Sequence, residues 1–173
     1  MQSETEKALM EILGEGFDGL NENLRAGMLG CRPETIGKSH EKLIELGLKP
    51  EKIASRADLL GRDPDTIRRN AKALQDLGLA KEKIASQAQL LGMNPETIRR
   101  NAEALQNLGL TKEKIASRAD LLGRDPDTIR RNYQFLRRFF SRETILQNPA
   151  LLGNSGQTVR SSVMMLDEYG ISH

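Results

Sequence analysis

Hydrophobic and polar positions along the chain follow a pattern that repeats every 31 residues. The stretch KIASRADLLGRDPDTIRRN occupies residues 52–70 and returns unchanged at residues 114–132, with a near copy at residues 83–101. A Leu-Gly-Leu triplet recurs at the same interval, at residues 46–48, 77–79 and 108–110. A fixed period of this length is typical of an array whose units each bury one face against their neighbours.

The pattern within a unit predicts a shorter helix, a turn and a longer helix. The Asp-Pro pair at residues 63–64 places a capping residue before a proline suited to the first helical position. Ile67 and Leu74, two turns apart, mark the apolar face of a helix of about twelve residues. Gly78 follows that helix, where a left-handed residue commonly ends it. The shorter helix is predicted over about residues 49–57, with the next leucines in a tight or 3₁₀ turn.

The repeats predict an all-α protein, a right-handed α-solenoid of about five helix–turn–helix units in one structural domain. The units are placed at residues 15–45, 46–76, 77–107, 108–138 and 139–168. Residues 1–14 are predicted to form an N-terminal capping helix, a half-repeat that covers the exposed first face of the array. Residues 169–173 are expected to be a truncated C-terminal end. Ser3 and Glu6 are spaced as a capping box at the start of the first helix.

Composition is typical of a soluble globular or repeat protein. Of 173 residues, 38% are hydrophobic and 29% are charged, and no apolar run approaches membrane-spanning length. The acidic N-terminal stretch, which lacks arginine, resembles neither a secretory signal nor a transit peptide, so we expect a cytoplasmic protein. The single cysteine, Cys31, excludes an internal disulfide and is expected to be a small core residue.

The net charge of +2 is unevenly distributed along the chain. Residues 1–45 carry nine acidic and five basic side chains, which gives a net charge of −4. Residues 108–142 carry nine basic and four acidic side chains, which gives +5. Such an asymmetry favours a polyanion or an acidic protein as the partner.

An Arg-Arg pair falls at the same place in three units, at residues 68–69, 99–100 and 130–131. The second arginine of each pair is predicted to point into solvent, and the first to lie at the edge of the apolar face. Stacking would align these cations in a basic stripe. The stripe has two open interpretations, a phosphate-binding surface or a solvated helix face. In the second, Arg69, Arg100 and Arg131 pair with the acid four residues earlier, which is Asp65, Glu96 or Asp127.

Arginines outside the repeated letters favour a phosphate-binding surface. Arg137, Arg138 and Arg142 lie where the net charge is highest and are expected to extend the stripe. Aromatic residues make up only 3% of the chain and fall mostly in apolar columns, so a duplex bound through its backbone is favoured over a single strand stacked on rings. The candidate nucleic-acid-binding residues are Lys38, Arg68, Arg69, Arg99, Arg100, Arg130, Arg131, Arg137, Arg138, Arg142 and Arg160.

The sequence contains no recognisable catalytic or metal-binding constellation. His40 and His173 are the only histidines, and together with Cys31 they do not have the spacing of zinc ligands. The acidic residues are mostly helix caps or surface positions repeated in each unit, rather than a convergent pair. We therefore expect no enzyme, no metal and no cofactor.

The repeat resembles that of the mitochondrial transcription termination factor (mTERF) family. The resemblance lies in LGLTKEKI at residues 108–115, the Leu-Leu-Gly triplet at residues 121–123 and the long helix to Leu136, and it extends over about residues 15–171. Residues 148–152 match the family's Pro-x-Leu-Leu element, whereas the other well-formed units carry Ala57, Ala88 or Ala119 in place of the proline. These departures, together with the short units, indicate a prokaryotic or archaeal relative, or a consensus-like engineered array.

The resemblance implies units of two α-helices and a 3₁₀ turn that stack into a curved solenoid. It also implies binding of duplex DNA or structured RNA along a positively charged face, with a role in transcription or its regulation. The paired arginines would be the natural phosphate contacts. The alternatives are a protein-interaction scaffold, whose concave face receives a peptide or an acidic protein partner, and a structural array without a ligand. We expect a monomer that does not contact a membrane.

Overall fold

The computed structural model describes residues 2–154 together with Thr158 and Ser161. Within these residues all regular structure is helical and no β-strand occurs, as predicted. The described α-helices are α1 (Glu4–Leu13), α2 (Glu22–Leu29), α3 (Pro33–Glu45), α4 (Pro50–Ser55), α5 (Pro64–Asp76), α6 (Lys81–Ser86), α7 (Pro95–Leu108), α8 (Lys112–Ser117), α9 (Pro126–Leu136) and α10 (Arg142–Gln147). The described 3₁₀ segments are Gly14–Phe17, Ala57–Leu59, Ala88–Gly92, Ala119–Gly123 and Pro149–Gly153.

The chain divides into two compact units, Met1–Glu96 and Thr97–His173. In the first unit, α1 packs against α3 and α3 packs against α5, so successive long helices are neighbours. In the second unit, α9 packs against the 3₁₀ segment of the following repeat, Pro149–Gly153. These are the neighbour-to-neighbour contacts that a stack of repeats requires.

The predicted order of a short helix, a 3₁₀ turn and a long helix is seen in the later repeats. It runs from α4 to α5 in the first unit and from α8 to α9 in the second. The first repeat departs from this order, because its 3₁₀ segment comes first and the eight-residue α2 follows. Asn21 caps α2 by accepting a hydrogen bond from the backbone N–H of Leu24 at 2.8 Å, which restarts the helix inside the expected short-helix segment.

Apolar columns of the repeat form the core. Ile53, Leu59 and Ile67 are buried in one repeat, and the residues at the same positions in the next two repeats are buried as well: Ile84, Leu90, Ile98, Ile115, Leu121 and Ile129. Burying each such side chain contributes about 1.5–3 kcal/mol, so these columns supply the main stabilising contribution. Cys31 is only half-buried, with its Sγ 3.5 Å from the backbone oxygen of Gly27.

Local chemistry sets the ends of the long helices as predicted. Asp63 accepts hydrogen bonds from the N–H groups of the first turn of α5, and Asp125 does the same for α9. Gly47, Gly78 and Gly109 follow α3, α5 and α7 with φ of 83°, 88° and 105°, a conformation that favours glycine. Ser155, the predicted cap of the next long helix, lies outside the described residues.

The N-terminal helix α1 begins where the sequence predicts. The Ser3 hydroxyl accepts a hydrogen bond from the backbone N–H of Glu6 at 3.1 Å. Leu9 and Leu13 are buried, whereas Ile12 is half-buried. Helix α1 therefore packs onto α3 through one apolar face.

A buried polar side chain on each long helix holds the end of the next repeat's turn, a feature that the sequence analysis missed. In the first unit the donors are Thr5, Ser39 and Asn70, and they bind the backbone oxygens of Cys31, Arg62 and Met93. In the second unit the donors are Asn101 and Asn132, which bind those of Arg124 and Asn154. Each asparagine also donates to a second carbonyl, that of Leu91, Leu122 or Leu152. These bonds tie successive repeats together within each unit.

Candidate nucleic-acid interface

The paired arginines lie in the second turn of the long helices α5, α7 and α9. Arg68, Arg69, Arg99, Arg130 and Arg131 have side chains that are between 60% and 73% exposed, and Arg100 is exposed as well. The first arginine of a pair is therefore as accessible as the second, although its Cα was expected at the edge of the apolar face. A long side chain carries its guanidinium into solvent even from such a position.

The carboxylates of the helix N-terminus pair with these arginines in an arrangement that differs from the expected one. On α5, the Asp65 carboxylate pairs with Arg68 at 3.1 Å, not with Arg69. Arg69 reaches back to the capping residue Asp63 at 3.8 Å and donates to the Thr66 hydroxyl at 3.2 Å. The expected pairing of Arg69 with the Asp65 carboxylate was wrong. The carboxylate of the capping residue Asp63 lies over the first turn of α5, and Arg69 reaches this carboxylate instead.

Helix α9 repeats this arrangement. Arg130 pairs with Asp127 at 3.1 Å, and Arg131 lies 3.9 Å from the capping Asp125. The pKa of Asp125 is lowered, chiefly by the hydrogen bond from the Thr128 hydroxyl, then by backbone N–H groups and last by the Arg131 charge. The caps are therefore ionised near neutral pH and offset part of the arginine charge.

Of the two arginines on helix α7, only Arg99 pairs with a carboxylate among residues 2–154. Arg99 pairs with Glu103 at 2.6 Å. Among residues 2–154, no carboxylate lies within ion-pair distance of Arg100, so the expected Arg100–Glu96 pair does not form. Arg100 and Arg130 line a groove of about 270 Å³ in the second unit, together with Glu103 and Asn107.

Arg137 and Arg142, which lie outside the repeated stretch of sequence, donate to backbone carbonyls rather than to carboxylates. Arg137 binds the backbone oxygen of Phe140 at 2.9 Å, and Arg142 binds that of Leu108 at 3.3 Å, at the C-terminal end of α7. Arg138 is exposed just after α9. The acid Glu143 lies within electrostatic reach of Arg137 and Arg142. Its pKa is lowered by hydrogen bonds from its own backbone N–H and the Ser141 hydroxyl, and then by the charges of Arg137 and Arg142.

Arg137 extends the basic surface of α9, whereas Arg138 lies in the turn that follows and Arg142 begins α10. Arg130 and Arg137 are seven residues apart, which places them on one face of the helix about 10 Å apart along its axis. Arg137, Arg138 and Arg142 occupy positions of the repeat other than those of the Arg-Arg pairs, and their role in extending the stripe stays a prediction.

Lys38 and Arg160 complete the set of predicted residues. Lys38 on α3 lines a groove of about 680 Å³ in the first unit, with Arg32, Glu34, Asp63 and Asp65 among the other lining residues. Acidic side chains thus border Lys38. Arg160 lies outside the described residues.

A second set of arginines, missed in the sequence, is held by short-range ion pairs. Arg56 donates two hydrogen bonds to Asp58 at 2.8 Å each, and Arg118 does the same to Asp120 at 2.9 and 2.8 Å. The hydrogen bond to its aspartate is the main cause that raises the pKa of each arginine. The Arg-x-Asp spacing in the sequence could have predicted these ion pairs. These half-buried guanidinium groups brace the turn after the short helix and are less accessible to a ligand.

The described residues contain no group of three or more His, Cys, Asp or Glu side chains placed to hold a metal ion. Within the same residues, no helix combines the length and the apolar character that crossing a bilayer requires.

Comparison with known protein families identifies the repeat. The mTERF family model matches residues 29–173. The chain belongs to the mTERF family. The mTERF proteins are helical-repeat solenoids that generally bind nucleic acid and act in transcription, which confirms the predicted fold class and the broad function. They are nucleic-acid-binding factors rather than enzymes. No curated protein matches the chain.

Proposed function

We propose that this mTERF protein binds the phosphate backbone of duplex DNA or structured RNA, and that the second unit provides most of the contacts. The observation that carries the proposal is the state of Arg100, Arg137, Arg138 and Arg142. They are exposed and lie in no ion pair among the described residues, and three of them fall in the most basic segment of the chain. A phosphate can bind them without displacing a carboxylate.

The ion-paired arginines contribute less under this proposal. An exposed pair such as Arg68–Asp65 is worth about 0–1 kcal/mol, so a phosphate can compete for the guanidinium. The carboxylate nevertheless stays beside the new ligand and repels it. Arg68, Arg69, Arg99, Arg130, Arg131 and Lys38 are therefore proposed as weaker, secondary contacts.

A duplex fits this surface better than a stacked single strand. Phe17 is buried, and Tyr133, Phe135, Phe139 and Phe140 are half-buried. Phe135 and Phe139 pack on each other with ring centroids 5.3 Å apart. Within residues 2–154 no fully exposed ring is therefore offered to a base, whereas sequence-tolerant single-strand binding generally depends on such stacking.

The test compares binding of duplex DNA, duplex RNA and single strands over a salt series. About six phosphate contacts predict a slope of log K against log salt near −5 for the preferred duplex. The variant Arg137→Gln/Arg138→Gln/Arg142→Gln should make this slope shallower by about 2 to 3 units, since each lost contact changes it by about 0.9. Replacing the exposed Lys7, Lys49 and Lys81 by Gln removes the same charge elsewhere and is the control.

Two results would contradict the proposal. The first is a wild-type slope shallower than about −2, which would leave room for only one or two contacts. The second is an equal loss of affinity in the control variant, which would mean that net charge alone is responsible. Retention of one acidic protein after nuclease treatment, together with no duplex binding, would instead support the protein-interaction scaffold.

A further inference from the structure

Two large hydrophobic side chains are exposed in the described part of the chain, Met10 at 40% and Ile44 at 45%. They occupy matching positions on α1 and α3, two helices that pack together. The residue before each, Leu9 or Leu43, is fully buried. Single exposed apolar side chains are ordinary on protein surfaces, but two at the same position of packed helices form a small apolar patch.

Polar contacts confirm that the two positions match. Thr5 and Ser39, each five residues before the exposed side chain, both donate to the backbone carbonyl that ends the next turn. Helices α1 and α3 therefore have the same rotation toward their following repeats. Met10 and Ile44 consequently emerge on the same side of the first unit.

Acidic side chains border these two residues. Glu11 and Glu45 directly follow Met10 and Ile44 and are exposed, and the exposed Glu41 precedes Ile44 by one turn. Glu45 pairs with Lys42, and the exposed Lys7 precedes Met10 by one turn, so three carboxylates stand beside two cations and the group keeps a net negative charge. We call Met10, Glu11, Glu41, Ile44 and Glu45 the acidic–apolar patch.

The same surface position becomes basic in the second unit. The residue pairs in register with Ile44 and Glu45 in the next three repeats are Gln75 and Asp76, Gln106 and Asn107, and Arg137 and Arg138. Residues 52–70 and 114–132 are identical, whereas this pair differs from one repeat to the next: its first residue stays Gln at positions 75 and 106, and its second changes from Glu to Asp, Asn and Arg. From the first repeat to the fourth, the residue pair at this position therefore changes from apolar and acidic to basic.

We propose that the acidic–apolar patch of one copy binds the basic segment of a second copy, residues 137–142. Arg137, Arg138 and Arg142 in that segment are exposed and complement Glu11, Glu41 and Glu45 in charge. Phe139 and Phe140 are half-buried, and their exposed parts provide apolar surface for Met10 and Ile44. The inference does not depend on nucleic-acid binding, and it departs from the monomer expected from the sequence.

A second copy is the occupant that the charges favour. The patch lies in the segment of net charge −4, and the complementary segment of net charge +5 belongs to the same chain. Because the two surfaces differ, the contact is heterologous, and such contacts build either closed rings or open chains. Association should therefore produce larger species as the concentration rises.

The contact should be weak and sensitive to salt. It joins a small patch to a short segment, and charges on such exposed surfaces are screened over about 8–10 Å at physiological ionic strength. Sedimentation of the nuclease-treated protein at about 10–300 µM should show an average mass that rises with concentration in about 50 mM salt and falls to that of one chain in about 500 mM salt.

Exchange of the charges gives the decisive test. The first variant, Glu11→Lys/Glu45→Lys, makes the patch basic, and the second, Arg137→Glu/Arg138→Glu, makes the segment acidic. Each alone should lose self-association by at least about tenfold in apparent Kd, because like charges then oppose each other. Mixing the two should restore association, because each supplies the surface that the other has lost.

Circular dichroism and the unfolding midpoint establish that both variants fold. The milder variant Met10→Ser/Ile44→Ser, which alters only exposed side chains, provides a second route if either charge variant does not fold, and it should also weaken association. A wild-type mass of one chain at all concentrations in low salt would overturn the proposal. So would charge variants that associate as the wild type does, or a mixture that stays monomeric. Duplex affinity is measured separately, so failure of self-association leaves the proposed function standing.

Discussion

The Asn101 side chain shows how one buried amide joins two repeats of the second unit. Its Nδ2 donates to the backbone oxygens of Leu122 at 2.7 Å and Arg124 at 3.0 Å. Both carbonyls belong to the turn of the following repeat, where the backbone leaves the 3₁₀ segment. Its Oδ1 is buried without a partner among the described residues, which offsets part of the benefit.

Replacing Asn101 with Ala should lower the free energy of unfolding by about 1–3 kcal/mol, because two carbonyls lose their donor in a site that excludes water. Urea unfolding measures the change. Gln106→Ala, at an exposed position of the same helix, is the matched control and should change stability by less than about 0.5 kcal/mol. Equal effects of the two substitutions would mean that the amide contributes nothing beyond helix α7 itself.

Among whole elements, the long helices show two opposite uses of glycine. Gly37 lies inside α3, where an added Cβ would meet no atom within 4 Å. Gly78 lies just past α5 with φ of 88°, also with open space around an added Cβ. The two sites are therefore alike in space and differ in backbone conformation.

Gly37→Ala should stabilise the protein by about 0.5–1 kcal/mol, because glycine in a helix interior loses more chain entropy on folding than alanine does. Gly78→Ala should destabilise it by about 1–2 kcal/mol, because a Cβ is strained in the left-handed region. Thermal and urea unfolding of the two variants measure these changes. A shift of the same sign in both would show that local backbone conformation does not decide the effect.

Element boundaries were predictable because they depend on chemistry within three or four residues. Asp63 and Gly78 mark the start and the end of α5 in both the sequence and the structure. The asparagine bonds were not predictable, since Asn70 and Leu91 are 21 residues apart and meet only once the repeats stack. The arginine pairing was missed because a helical wheel does not contain the capping residue, whose backbone is not helical.

On the scale of the whole molecule, the period and the family were readable from the sequence, whereas the state of each arginine was not. Repetition of the letters places cations at the same position of each long helix. The repetition does not reveal that Arg68 pairs with the Asp65 carboxylate, whereas Arg100 has no carboxylate partner among the described residues. The division into five units remains a prediction, and the structure divides into two compact units at residues 96 and 97.

Two single substitutions that each add one positive charge separate the effect of a local binding surface on duplex affinity from the effect of the net charge of the chain. Gly37→Arg adds an arginine to α3 at the position in register with Arg68, between Glu34 one turn before and Glu41 one turn after. Asn107→Arg adds one in the groove that Arg100 and Arg130 line. Both variants raise the net charge of the chain from +2 to +3.

Asn107→Arg should steepen the slope of log K against log salt for a duplex by up to about 0.9, because the added cation can neutralise one more phosphate at the proposed contact surface. Gly37→Arg should change it by much less, because Glu34 and Glu41 compete for the new guanidinium in a segment that is acidic overall. Gly37→Ala separates any effect of the added side chain on helix stability. Equal steepening in both arginine variants would count against a local surface in the second unit and favour attraction by the whole chain. An effect of Gly37→Arg alone would move the contact surface to the first unit.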